Sequence, residues 1–155
     1  MRGSMEQYNR IIFVCESGTA RAPMAAGILN DFSLKNPIDV ESRGLVVLFP
    51  EPMNQKAEAV LISNGVSTRD FMSIQLTEED FSETTLILTM EYIQKERILE
   101  HFENAIPENV QVLTELVGDE LEILDPYGGT LQAYGLCYET MRKSIQKLVN
   151  LLNED

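Results

Sequence analysis

Apolar and polar positions fall in blocks along the chain, and the length and period of each block predict its element. "IIFV" (11–14) is a short, continuous apolar run, the pattern of a strand buried on both faces. Behind it, "PMAAGILNDFSLK" (23–35) has helical spacing, and Pro23 suits a first turn. "IDVES" (38–42) predicts a second, shorter strand. "PMNQKAEAVLISNG" (52–65) predicts a helix with Ala57, Val60 and Leu61 on one face and an Asn-Gly stop. "LTEEDFSE" (76–83) reads as a short helix capped by Thr77, followed by the strand "TTLILTM" (84–90). A charged helix, "EYIQKERILEHF" (91–102), and a last strand, "NVQVLT" (109–114), come next. "TLQAYGLCYETMRKSIQKLVNLL" (130–152) ends the pattern as an amphipathic helix, apolar at Tyr134, Cys137, Met141, Ile145, Leu148 and Leu152.

The order βαβαβαβα predicts an α/β fold: one domain over 1–155, with a four-stranded, mostly parallel sheet and helices on both faces. No repeat and no Pro-, Gly- or Ser-rich stretch marks a boundary. "MRGS" (1–4) precedes a second methionine, Met5, and reads as an expression scar outside the fold.

Charge narrows the function. A net charge of −13 argues against nucleic acid and against anionic membranes, both of which reward a basic face. Any anion must therefore be gripped locally. Two cysteines far apart and one histidine, His101, predict no disulfide framework, no metal site and no cofactor. The polar start and the lack of a spanning apolar stretch predict a cytoplasmic protein. Nothing in the sequence bears on oligomeric state.

The candidate chemistry begins where the first strand ends. Ligands of open parallel sheets sit beyond the carboxyl ends of strands, and Cys15 falls there, followed by "ESGTA" and Arg21. The N–H groups of Glu16, Ser17, Gly18, Thr19 and Ala20 can turn inward as an anion cradle, and the Arg21 guanidinium matches phosphate geometry. In those surroundings Cys15 is expected to carry a lowered pKa and to act as a nucleophile. The residues alone leave a second reading open, in which Cys15 is a small hydrophobe ending a buried strand. "ILDPYGG" offers Asp125 as an acid for the leaving oxygen, although Asp-Pro by itself is an ordinary turn.

Taken together, "VCESGTARAP", "SRG" after the second strand, "SIQLTEEDF", "LILTM" and "DPYGG" resemble the low-molecular-weight protein tyrosine phosphatases along almost the whole chain. The resemblance implies Cys15 as nucleophile, Arg21 as phosphate clamp, and Asp125 as acid in the first step and base in the second. It implies a phosphorylated protein as substrate, with Leu48, Phe49 and Tyr127 on the rim. Phosphotyrosine is the main reading, since Tyr127 can stack on a phenyl ring. Thr19 and "DPYGG" resemble the bacterial arginine-phosphatase branch, which keeps phosphoarginine as an alternative. A third reading is a weakly active or inactive phosphate-loop binding protein.

The loop departs from the family pattern. Ser17, Gly18, Ala20 and Ala22 stand where glycine, asparagine, cysteine and serine are usual. In relatives, that asparagine and serine join a polar network with a serine and a histidine, whose positions here are Ser42 and Phe71. With three of the four polar members replaced, the expectation is an apolar-backed loop and a Cys15 pKa above the family norm. The mid-chain cysteines of related arsenate reductases are missing, Cys137 reads as a core residue, and His101 reads as solvated.

Overall fold

The computed structural model describes residues 5–154, so the stretch read as an expression scar lies outside the described residues. Four strands, β1 (Arg10–Cys15), β2 (Asp39–Gly44), β3 (Thr85–Thr89) and β4 (Val110–Val112), form one sheet in the order β2-β1-β3-β4. Every pairing is parallel, so the expected "mostly parallel" sheet is wholly parallel. Five helices connect and cover it: α1 (Arg21–Asn30), α2 (Gln55–Ser63), α3 (Tyr92–His101), α4 (Leu113–Val117) and α5 (Leu131–Leu152).

Period-2 alternation sends β1 to both faces. Ile11, Phe13 and Cys15 join the larger core with α1, α2 and α5, while Ile12 and Val14 join the smaller one with Ile98 of α3. On α5 the six apolar positions read from the sequence are all buried. Asn54 caps α2, its side chain accepting from the N–H groups of Lys56 and Ala57, a cap worth about 1 kcal/mol. The helix stops at the expected Asn64-Gly65, where Gly65 takes φ +77°.

Three expectations are corrected. α1 ends at Asn30 instead of running to Lys35. The acidic segment is a single 3-10 turn, Glu78–Asp80, because Asp80 folds back onto the Thr77 N–H and pairs with Arg43 at 3.2 Å. The last strand stops at Val112, and "LTELV" coils into α4, closed by Gly118 at φ +83°. No helix among the described residues is long and apolar enough to cross a membrane.

The strand order positions the site. From β1 the chain steps outward to β2, then returns past β1 to β3 and on to β4. The order reverses between β1 and β3, so a crevice opens at their carboxyl ends. Cys15 is the last residue of β1 and lies on that edge.

Candidate active site

Cys15 is 2 % exposed, and main-chain donors surround its sulfur. The Ala22 N–H donates to Sγ at 3.4 Å, and the N–H groups of Gly18 and Ala20 also face it. The loop 16–20 is held by its neighbours' backbones: Leu45 and Val46 donate to the Cys15 and Glu16 carbonyls, and Asn54 donates to that of Thr19. Gly18 sits at φ +73°, and a Cβ there would lie 2.8 Å from the Gly44 nitrogen. A Cβ on Gly44 would meet the Ser17 carbonyl oxygen at 2.7 Å. Two glycines thus let the loop press directly on the end of β2.

Ala22 is fully buried, and Phe71 is partly buried against the main core. Ser42 sits in β2 opposite Phe13. The loop's own hydroxyls pair with each other, Ser17 Oγ to Thr19 Oγ1, at 2.8 Å on the exposed side.

Burial pushes the Cys15 thiol above its ordinary value, and the opposing pull of the Ala22 N–H, the Arg21 guanidinium and the Gly18 and Ala20 N–H groups does not reverse it. This corrects the expected lowering of its pKa. The N–H donors and the cation are both in place, but the sulfur sits deep enough for desolvation to outweigh them.

Arg21, at the first position of α1, is almost fully buried. Its Nη1 donates to Glu91 Oε2 at 2.5 Å and to the Ile123 carbonyl at 2.7 Å, while Nη2 lies 3.7 Å from Asp125 Oδ2. Three segments meet at one guanidinium: the end of the loop after β1, Glu91 two residues beyond β3, and the segment that carries Ile123 and Asp125. That last segment is pinned again where Ile123 N–H donates to the Met90 carbonyl and Tyr92 N–H donates to Glu122 Oε2. Asp125 is half exposed and accepts from the Tyr127 N–H at 3.0 Å, the Asx turn expected of Asp-Pro.

The three residues expected on the rim are open to solvent, Leu48 at 88 % and Tyr127 at 82 %, with Phe49 beside Leu48 on the loop that Val46 ties to Glu16. The Glu16 side chain pairs with Arg97 of α3 at 2.5 Å. Cys137 is buried, with its thiol pushed up to about 11 by burial. His101 is exposed beside Glu100. No group of three or more potential metal ligands occurs among the described residues.

Sequence reasoning missed Glu91, the Ile123 carbonyl and Arg97. Glu91 was within reach: it stands two residues beyond β3, past the carboxyl end of the sheet where Cys15 also lies, and there a carboxylate bears on any neighbouring arginine.

A sulfur faced by main-chain N–H groups, beside a buried guanidinium and a half-exposed carboxylate, has the donors to hold an anion against the sulfur. Residues 10–155 match the family described as low molecular weight phosphotyrosine protein phosphatase. The chain is 32 % identical over 143 residues to the PtpB low molecular weight protein-tyrosine-phosphatase of Staphylococcus aureus, covering 92 % of this chain and 99 % of that protein. It is 29 % identical over 146 residues to a protein-arginine-phosphatase of Geobacillus stearothermophilus, covering 94 % and 97 % of the two. The solved low molecular weight protein tyrosine phosphatase from T. tengcongensis superposes with a TM-score of 0.85 at 30 % identity, covering 91 % of this chain and 97 % of that one. The chain belongs to the low molecular weight phosphotyrosine protein phosphatase family. It is an enzyme of the cysteine-dependent class that hydrolyses phosphomonoesters.

Proposed function

We propose that this chain removes the phosphoryl group of phosphotyrosine in proteins through a phosphocysteine at Cys15. The observation that carries the reading is the convergence of Arg21 on Cys15 and Asp125, its Nη2 lying 3.7 Å from the Asp125 carboxylate. A phosphoryl dianion entering the cradle takes the thiol proton onto an oxygen, which answers the upward push that burial gives Cys15. The thiolate then attacks phosphorus. The S–P bond forms and the P–O(aryl) bond breaks, while Asp125 gives its proton to the departing phenol oxygen. In the second step Asp125 takes a proton from water, the water oxygen attacks phosphorus, and the S–P bond breaks to release phosphate. The N–H groups of Glu16 to Ala20 hold the phosphoryl oxygens, and Arg21, anchored through Nη1, offers its other nitrogens to the charge that spreads over them. Leu48, Phe49 and Tyr127 flank the phenyl ring.

The second reading is phosphoarginine. Thr19 favours it, with a hydroxyl on the exposed side of the loop, together with the likeness to the protein-arginine-phosphatase. The two separate in kcat/KM on matched phosphotyrosine and phosphoarginine peptides. Phosphotyrosine is expected to turn over faster, and Thr19→Ile to raise that ratio further. A ratio that favours phosphoarginine and collapses in Thr19→Ile would replace the first reading by the second.

Glu91 acts through Arg21. Glu91→Gln keeps an acceptor for the α3 cap but removes the charge that fixes the guanidinium at 2.5 Å. A hydrogen bond to a charged group is worth about 1.5 to 3 kcal/mol, so kcat for p-nitrophenyl phosphate should fall about tenfold or more. KM should not rise, because the arginine loses a competing anion. A higher KM at unchanged kcat would place Glu91 outside the positioning of Arg21.

A further inference from the structure

Beside the crevice lies a groove of about 840 Å³ that shares Asp125 and Pro126 with it, bounded by the segment 119–126, the start of α5, β4 and α4. Its surface joins exposed leucines with an excess of carboxylates. Three leucines stand open to solvent on it, Leu121 at 79 %, Leu124 at 72 % and Leu136 at 68 %. Five carboxylates line it, those of Glu115, Asp119, Glu120, Glu122 and Asp125, and no lysine or arginine among the described residues does.

The carboxylates are unevenly satisfied. Asp119 is neutralised by Lys147 and accepts from Ser144. Glu122 accepts only a main-chain N–H, that of Tyr92. Glu115 meets Lys95 at the 4.0 Å limit, and the Glu120 carboxylate has no cationic partner among the described residues. Negative potential therefore concentrates over an apolar floor, next to a site that must admit a phosphoryl dianion. A bare anion gains nothing there. A cationic segment attached to the phosphorylated residue gains on both counts.

We propose that this groove receives the residues flanking the phosphorylated side chain and selects protein substrates whose flank is basic and apolar. The proposal rests on the phosphatase reading above. The position of the groove supports it: with the phosphorylated side chain in the crevice at Asp125, the adjoining stretch of substrate lies across Leu124 and Leu121. Lysine or arginine stems cover the leucines while their charged ends reach Glu115, Glu120 and Glu122.

The test uses two phosphotyrosine peptides that differ only in flanks, one Lys/Leu-rich and one Glu/Ser-rich, alongside p-nitrophenyl phosphate. At low salt the basic peptide should have a kcat/KM at least about tenfold higher, and the gap should narrow as salt rises. Glu115→Lys combined with Glu120→Lys should bring the ratio near one, and Leu121→Ala with Leu136→Ala should raise KM for the basic peptide. Turnover of p-nitrophenyl phosphate should stay unchanged in these variants, which also shows that they fold. Glu83→Lys combined with Glu108→Lys, at the opposite end of the sheet, makes the same change in overall charge and should leave the ratio alone. Equal kcat/KM for the two peptides in wild type, or an equal drop in ratio with that control, overturns the proposal. The same preference is read as equilibrium binding to the Cys15→Ser protein, so it stands or falls separately from turnover. Failure of wild type on p-nitrophenyl phosphate would instead sink the phosphatase reading.

Discussion

Cys15→Ser should abolish turnover of p-nitrophenyl phosphate, by about 10⁴-fold or more, while phosphate and vanadate still bind. The substitution exchanges a sulfur for a smaller oxygen in a pocket that is 2 % exposed, so the fold, the cradle N–H groups and Arg21 are preserved. What changes is the nucleophile. A hydroxyl is far harder to ionise than a thiol, and the burial that already raises Cys15 would raise an alkoxide further. Binding of the anion does not require that ionisation, so affinity for phosphate survives. Turnover in the mutant near the wild-type rate would mean that another group attacks phosphorus. Wild type supplies the matching control: because burial raises the Cys15 pKa, alkylation by iodoacetamide should be slow at neutral pH and climb with pH, with a midpoint above that of an ordinary thiol. A midpoint below the ordinary value would show that Arg21 and the loop N–H groups outweigh burial. Bound phosphate should protect against alkylation at every pH.

The elements that could be read from sequence are those whose burial pattern is self-contained. β1 and β3 are buried at nearly every position, so unbroken apolar runs announced them. α5 packs one face only, and its apolar spacing marked all six core positions in advance. The misplaced boundaries have causes outside the local pattern. β4 pairs only with Ile87–Thr89 of β3, so it needs three residues, and Leu113, apolar enough to extend a strand, instead opens α4. The acidic turn at 78–80 is tightened by a pair between Arg43 and Asp80, residues that no helical periodicity connects. The site divides in the same way. Cys15 and Arg21 lie within one loop and helix start, so their shared chemistry was visible in a single line of sequence. Glu91 and Ile123 reach Arg21 from 70 and 102 residues away, and only the folded crevice brings them there. The direction of the Cys15 pKa went unread for a related reason: the donors around it are local, whereas the burial that outweighs them is built by α1, α2 and α5 together.

Asparagine at position 125 separates acid catalysis from the rest of the mechanism. Asp125 is held by its own Asx turn and by proximity to Arg21, and the amide keeps both the size and the acceptor for the Tyr127 N–H. It cannot supply a proton. General acid catalysis contributes about 10² to 10⁴-fold, and the share depends on how much the leaving oxygen needs it. A p-nitrophenolate departs as a stable anion and needs little help, so Asp125→Asn should cost that substrate roughly tenfold at most in kcat/KM, which reports the first step and not the second, where Asp125 acts as base. Phenyl phosphate and phosphotyrosine leave as poor anions and should slow by about 10²-fold or more. The dependence of rate on leaving-group pKa, shallow in wild type because the proton compensates the charge, should steepen in the mutant. Arg21 sharpens the expectation. Removing the carboxylate charge 3.7 Å from Nη2 leaves the guanidinium freer for phosphate, so KM and the Kd for vanadate should fall or hold while kcat drops. Uniform slowing of kcat/KM across leaving groups, with a higher KM, would make Asp125 a group that shapes the crevice, and the search for the acid would pass to the other carboxylate on Arg21, Glu91.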